Sequence, residues 1–388
     1  MFESYRHNKK NKFQYFKVGD KRFDSDLHAY QYFTKNLNNE INNEITFNLD
    51  LRVMDQDWQK EPEQHLSYYK RAMCEHIKQH YDKIVLGYSG GTDSETILES
   101  FFETKTKDLE LLNIINTYQQ QTKNRQWLKE HTEEAVRQKW GLVAKDLDWK
   151  FNMWKPWKPL DYTQYEKAIT DYNYGSWTVD WRYLNSWAQN SGDITHTFNK
   201  AKRTALVMGK EKPEVVIEDG WWCFRLLNLN WELPFDCVDP NVELVFFWIN
   251  DMVPELIIKL AHMKAREMQK IFIEEQIKPT HENSQKHSQY LDKHYRRLNQ
   301  SLGFNAITDF LNSDAQKTFG WFKQAELQEQ KQLVNEGNKL TIVNDYFDQV
   351  VAKTVDNRFL DLDKKNLHGI WSKSKKLFPV CDELKELM

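Results

Sequence analysis

Residues 89–94 are the one segment of this chain whose residue types together indicate a chemistry. The segment reads Ser89-Gly90-Gly91-Thr92-Asp93-Ser94. It follows a short apolar run, Ile84–Leu86, and precedes a helix-like stretch, Glu95–Phe102. Because Gly90 and Gly91 have no Cβ, the backbone can turn sharply and approach a ligand closely. The loop leads into a helix N-terminus, whose N–H groups attract anions.

The side chains of this loop suit a polyphosphate and its counter-ion. Ser89 and Ser94 supply hydroxyl donors. The carboxylate of Asp93 can hold Mg²⁺ or orient the loop as a helix cap. The alternative is a Ser/Gly turn that merely joins a strand to a helix. We interpret the loop as a phosphate cradle, because a strand is predicted before it and a helix after it.

The same six residues match the SGGxDS signature of the PP-loop ATP pyrophosphatases, within the adenine nucleotide alpha-hydrolase-like superfamily. That family includes asparagine, argininosuccinate, GMP and NAD synthetases, tRNA thiolation enzymes and PAPS reductases. The loop differs from a Walker P-loop, because it lacks the Gly-Lys-Ser/Thr ending. The resemblance covers residues 80–215 and extends more loosely to about residue 265.

The whole chain also resembles PP-loop proteins of bacteriophages that are labelled PAPS reductase-like or asparagine synthetase-like. The residues that carry this second resemblance are Trp58, Glu61-Pro62, Arg71-Ala72, Tyr81–Leu86, Val253-Pro254-Glu255 and Ala261-His262.

The resemblance implies ATP and Mg²⁺ as ligands, with Asp93 as the metal ligand. The predicted nucleotide-binding residues are Tyr88, Ser89, Gly90, Gly91, Thr92, Asp93, Ser94, Thr117 and Gly209. Gly209 is included because a late core strand in this family commonly ends in Gly near the ribose. The predicted catalytic residues are Asp93, Ser94 and Lys210. Lys210, Lys212 and Arg225 are candidate cations for the phosphates, although a surface or structural charge is the more common role for such residues.

The pattern of strands and helices predicts an α/β fold with a doubly wound, mainly parallel sheet of the HUP-like PP-loop type. We expect a small N-terminal α+β lobe at residues 1–60, with a hairpin around Gly19-Asp20 and a helix over Asp26–Leu37. The ATP-binding domain is predicted at residues 61–265. A mostly helical C-terminal region follows at residues 266–388.

An aromatic-rich insertion is predicted at residues 149–187. Ordinary packing of a helical subdomain explains most of its rings. The functional alternative is a stacking platform for an acceptor, such as a nucleotide or a nucleic-acid base. The acceptor and the second nucleophile match no motif in the chain, and the oligomeric state is left open.

Bulk properties narrow the class of protein. Net charge is −3 over 388 residues, so no global basic field indicates nucleic acid. The four cysteines form no CxxC pair, which indicates a reduced, cytoplasmic protein, located in the host cytoplasm if it is viral. The N-terminus lacks an apolar signal core, and no stretch is long enough to span a membrane. His281, His287 and His294 do not have zinc-site spacing, and we expect them on a solvated helix face.

Motifs that this chain lacks narrow the choice among the branches of the family that it resembles. PAPS reductases carry a C-terminal Glu-Cys-Gly-Leu/Ile-His, whereas Val380-Cys381-Asp382-Glu383 lacks the Gly and the His. The thiolation enzymes need paired cysteines. The leading prediction is therefore an AMP- and pyrophosphate-forming ligase or modifying enzyme. The alternatives are a sulfonucleotide reductase-like enzyme that uses Cys381, and a non-catalytic nucleotide-binding module.

Overall fold

The computed structural model describes residues 14–23, 45–115, 123–156, 203–209, 213–226, 242–288, 293–310 and 372–387, with Ala29 and Tyr32. Its first sheet is antiparallel, in the order β2-β1-β3, and consists of β1 (Gln14–Val18), β2 (Lys21–Phe23) and β3 (Ile45–Leu49). Gly19 has φ of +57°, which a tight hairpin turn requires. The predicted hairpin is therefore confirmed. The helix predicted at Asp26–Leu37 lies outside the described residues, apart from Ala29 and Tyr32.

Strands and helices alternate through the next part of the chain. In order these are α1 (Leu66–His80), β4 (Lys83–Gly87), α2 (Thr92–Glu103), β5 (Leu109–Ile115), α3 (Lys123–Asp146), β6 (Lys150–Pro156) and β7 (Thr204–Met208). They are followed by β8 (Glu214–Glu218), β9 (Trp221–Arg225), β10 (Val242–Phe246), α4 (Pro254–Glu274), α5 (His281–Ser288) and α6 (Lys293–Ser301). Two 3₁₀ turns, at Arg52–Asp55 and Ile307–Phe310, together with β11 (Lys375–Pro379) and α7 (Asp382–Lys385), complete the described elements.

Five of these strands form an all-parallel sheet in the order β10-β7-β4-β5-β6. The fold is therefore α/β. Central strands of such a sheet are buried on both faces, and Val85, Leu86 and Val207 are accordingly buried. From β4 the chain proceeds in one direction to β5 and β6, and then returns across β4 to β7 and β10. Ligands of open parallel sheets bind where the order reverses, at the carboxyl ends of the strands.

The prediction for the aromatic insertion is wrong at its start. Residues 150–156, assigned from sequence to the insertion, form β6 at the edge of the main sheet and pair with β5. The strand was missed because its sequence, KFNMWKP, mixes rings with charged and polar residues. An edge strand tolerates this mixture because it has only one neighbour. The remainder of the insertion, residues 157–187, lies outside the described residues.

A third sheet joins the middle of the chain to its end, in the antiparallel order β11-β9-β8. Asp219 and Gly220 both have positive φ, as the turn between β8 and β9 requires. Helices α4 and α5 pack against this sheet. Ser372 exchanges hydrogen bonds with Leu226 and bridges to Phe47 of β3. The last part of the chain therefore connects the third sheet to the first.

In the C-terminal helices, one of the three histidines that were predicted on a solvated face is buried. His294 in α6 is only 2% exposed, and its ring lies 4.6 Å from that of His287. The prediction of a solvated face is therefore wrong for His294. The ring packs between helices α5 and α6 and approaches Glu275 at 3.4 Å. Among the described residues, no helix is long and apolar enough to cross a membrane.

Candidate functional site

The predicted phosphate loop connects the central strand β4 to the N-terminus of α2. Two serine side chains hold it in shape. The Ser94 hydroxyl donates to the Gly91 carbonyl at 3.2 Å and accepts from the Ser89 backbone N–H at 3.2 Å. The Ser89 hydroxyl accepts from the Gly91 N–H at 3.3 Å. Ser89 is exposed whereas Ser94 is only 4% exposed, so Ser94 mainly braces the loop from inside.

The structure requires glycine at one of the two loop positions, Gly90, but not at the other, Gly91. Gly90 has φ of +75°, and an added Cβ would lie 2.9 Å from carbon atoms of Ile307 and Thr132. Both the backbone conformation and the packing therefore require glycine at this position. Gly91 has φ of −76°, and an added Cβ would meet only the Ser89 hydroxyl, at 3.4 Å. Nothing in the described fold requires glycine at position 91.

Gly91 is the N-cap of α2 and supplies no side chain to cap the first turn. Thr92 and Asp93 follow as the first helical residues, and both are half-buried. The Thr92 hydroxyl donates to the Asp93 carboxylate at 3.2 Å. The positive end of the α2 dipole thus lies at the loop, next to the carboxylate of Asp93.

Gly209, directly after β7, lies against this helix start. An added Cβ there would lie 2.9 Å from Ile97 Cδ1 and 3.2 Å from Asp93 Cβ. The structure therefore brings the predicted ribose-side glycine and the predicted metal ligand together. They meet between β4 and β7, where the strand order reverses.

A buried polar cluster behind the loop was not found by sequence reasoning. Glu95 is fully buried, and its carboxylate accepts from the Tyr88 hydroxyl at 2.5 Å, from Lys139 Nζ at 2.6 Å and from Trp140 Nε1 at 3.0 Å. Lys139 also donates to Glu99 at 2.7 Å. Tyr88 precedes the loop and Glu95 follows it, so the cluster clamps both ends of the loop to α3.

Burial dominates the electrostatics of this cluster. Removal from water raises the pKa of Glu95, although the hydrogen bond from Lys139 acts in the opposite direction. Burial beside the Glu95 carboxylate also raises the pKa of Tyr88 well above its usual value. One feature of the sequence does indicate that Glu95 is buried. Glu95 shares a helical face with the apolar residues Leu98 and Phe102.

The remaining predicted site residues are not seen at the phosphate loop. Thr117, Lys210 and Lys212 are outside the described residues. Arg225 is 5% exposed at the end of β9, where it faces Glu214 at 3.7 Å and His281 at 3.3 Å. These contacts tie the third sheet to α5.

Three cysteines lie in the described part of the chain. Cys74, Cys223 and Cys381 are all free. Cys223 is buried in β9, and burial raises the pKa of its thiol to about 11. Cys381 is half-buried, and its backbone N–H donates to Gln269 at 3.4 Å.

The part of the chain that the structure describes holds no group of three or more metal-ligating side chains. This geometry still suits Mg²⁺, which proteins usually hold through one or two carboxylates together with substrate phosphates. Comparison with protein-family models and with curated proteins gives no match to this chain.

Proposed function

We propose that the chain is an ATP-dependent enzyme that binds ATP and Mg²⁺ at residues 89–94 and adenylylates an acceptor, with release of pyrophosphate. The strand order reverses beside β4, as in doubly wound sheets of the HUP-like type, and this supports the proposed binding edge. The match to the PP-loop signature supports the choice of nucleotide. The proposal includes the cytoplasmic location that the unpaired cysteines indicate.

The main support for the proposal is the open space beside Gly91. Neither its backbone angles nor its neighbours require glycine, whereas a bound phosphate close to Cα would. The start of α2 supplies N–H groups and a positive dipole end at the same place. The arrangement therefore suits an anion that approaches the backbone more closely than any side chain would allow.

The residues of the site have separate roles in this proposal. Asp93 would hold Mg²⁺, which neutralises charge on the phosphates. Ser89 donates to the phosphates, while Ser94 and the Glu95 cluster keep the loop in position. An acceptor oxygen attacks the α-phosphorus, and the bond to the β-phosphate breaks as pyrophosphate leaves. A second nucleophile then displaces AMP. Catalysis by the protein consists of positioning and charge neutralisation.

Two other functions predict different products. A sulfonucleotide reductase-like enzyme would release sulfite in a thiol-dependent reaction and would need Cys381. A non-catalytic module would bind ATP tightly without turnover. The segment Val380-Cys381-Asp382-Glu383 lacks the Gly and the His of the reductase signature, and this favours the adenylylating enzyme.

The test of the binding site uses Gly91→Val, with Gly141→Ala as its control. A Cβ at Gly141 meets nothing within 4 Å, and this residue lies on α3 away from the loop. We expect Gly91→Val to fold like the wild type and to lose ATP·Mg²⁺ binding in calorimetry, because the side chain occupies the phosphate position. Unchanged affinity in Gly91→Val would refute the site.

The test of the reaction measures the products. With labelled ATP and fractionated cell extract, AMP and pyrophosphate should accumulate together with a modified acceptor. ADP and orthophosphate as the products would contradict attack at the α-phosphorus.

A further inference from the structure

The carbonyl oxygen of Gly90, inside the phosphate loop, is held by a segment from the C-terminal part of the chain. It accepts from the backbone N–H of Ile307 at 3.0 Å. Ile307 begins the 3₁₀ turn Ile307–Phe310, which follows α6. Its side chain is fully buried and borders Gly90, together with Thr132 of α3. The loop is therefore shaped by a contact from outside the strand and helix that it connects.

This hydrogen bond fixes the orientation of the peptide group between Gly90 and Gly91. In a trans peptide, the carbonyl oxygen and the following N–H point in opposite directions. Because the Gly90 carbonyl is turned toward Ile307, the Gly91 N–H points to the opposite side. There it approaches the hydroxyl of Ser89, an exposed residue, at 3.3 Å. That is also the side on which an added Cβ at Gly91 would meet only the Ser89 hydroxyl.

A peptide group between two glycines has little intrinsic preference for one orientation, because neither neighbour has a Cβ. A flip of this peptide would put the Gly90 carbonyl oxygen where the Gly91 N–H now points. An N–H group attracts a phosphate, whereas a carbonyl oxygen repels it. The hydrogen bond from Ile307 opposes this flip, and so it favours the orientation that suits an anion.

The segment that carries Ile307 is itself held in place. The Asp309 carboxylate accepts from the Ala306 N–H at 2.8 Å, and the Asp309 N–H donates to the Ala306 carbonyl at 3.0 Å. Phe304 is buried against Trp248, which lies just after β10, and its N–H donates to Asn299 of α6 at 2.8 Å. The segment is thus tied to α6, to the end of the main sheet and to the phosphate loop.

We propose that Ile307 is a positioning residue of the phosphate site, whose backbone N–H keeps the Gly91 N–H directed at a bound polyphosphate. This inference rests on the proposed function, because the polyphosphate is that of ATP. It adds that the segment after α6 controls the affinity of the loop for phosphate. By linkage, a bound phosphate must strengthen the contact between Ile307 and Gly90 by the same factor.

The experiment compares wild type, Ile307→Pro and Ile307→Ala. Proline lacks the N–H and is tolerated at the first position of a helical turn, so Ile307→Pro removes the hydrogen bond with little change of backbone. Ile307→Ala keeps the N–H but removes more of the buried side chain. Calorimetry measures binding of inorganic tripolyphosphate and ATP·Mg²⁺, and thermal unfolding measures the stability of each variant.

We expect Ile307→Pro to weaken the binding of both ligands about 10- to 100-fold, as for a lost hydrogen bond to a charged group. Ile307→Ala should lower the unfolding temperature at least as much as Ile307→Pro, but it should weaken tripolyphosphate binding less. Affinities of folded Ile307→Pro within two-fold of wild type would overturn the assignment. Equal weakening in the two variants would also overturn it, because the effect would then come from packing.

Hydrogen exchange in the wild type tests the same contact without a substitution. Saturating tripolyphosphate should slow exchange of the Ile307 N–H about 10-fold more than exchange of the Val380 N–H. The Val380 N–H is the control, because it donates to the Gly220 carbonyl in the third sheet. Equal slowing of the two amides would overturn the inference and leave the proposed function standing. Failure of the wild type to bind ATP·Mg²⁺ and tripolyphosphate would refute the proposed function, and the inference with it.

Discussion

Removal of the positive charge of Lys139 should destabilise the protein, and more so at high pH than at low pH. Lys139→Met keeps most of the aliphatic stem and leaves Glu95 buried without its counter-charge. Breaking a buried ion pair costs about 3–5 kcal/mol. Because the Lys139 side chain is 14% exposed and Glu99 also reaches solvent, we expect the lower end, about 3 kcal/mol near pH 8.

The pH dependence follows from the pKa of Glu95. Burial raises this pKa above its usual value of 4.5, and Lys139 opposes the rise, so the substitution should raise it further. A carboxyl group with a higher pKa in the folded than in the unfolded state takes up a proton on folding. Its contribution to the free energy of unfolding therefore falls as the pH rises above 4.5. The loss in Lys139→Met should accordingly be smaller at pH 5 than at pH 8.

Urea denaturation at these two pH values measures the effect. The control is Lys150→Met, which removes an exposed ion pair with Asp108 and should cost less than about 1 kcal/mol. The double substitution Lys139→Met, Glu95→Gln should regain most of the stability, because the polar cluster then contains no fully buried charge. A loss in Lys139→Met no larger than in Lys150→Met, or equal at both pH values, would refute this account.

Three further predictions concern single side chains. Asp93→Ala should weaken Mg²⁺-dependent ATP binding roughly 100-fold in calorimetry, and wild-type affinity would remove Asp93 from the metal site. Arg266 lowers the pKa of Glu61 to about 2, so Glu61→Gln should cost about 2 kcal/mol in denaturation at pH 7 after allowance for solvent screening. That loss should fade as the pH falls from 4.5 toward 2, and a pH-independent loss would contradict it. Cys381→Ser should leave ATP turnover within a few-fold, whereas a collapse with the fold intact would favour the reductase-like enzyme.

The segment from β4 through α2 could be predicted from sequence because its signals are local. The apolar run Ile84–Leu86 indicates a buried strand, and two glycines followed by a helical pattern indicate the loop and α2. The hairpin at Gly19 was predicted for the same reason, since its turn needs a residue with positive φ.

Features that depend on distant partners could not be predicted. The role of Glu95 requires Lys139, which lies 44 residues away and has no spacing relation to it. The strand β11 was missed because it is short and basic and pairs with a strand far back in the chain.

The pairing of β11 with β9 also bears on how the chain folds during synthesis. Leu226 and Ser372, which exchange hydrogen bonds beside this pair, are separated by 146 residues. At ordinary translation rates the ribosome needs roughly 7–30 seconds to cover that distance. Throughout this interval β9 presents an open strand edge, which is a site for association with other chains. Yield of the folded protein should therefore depend on chaperone capacity and on an intact C-terminus.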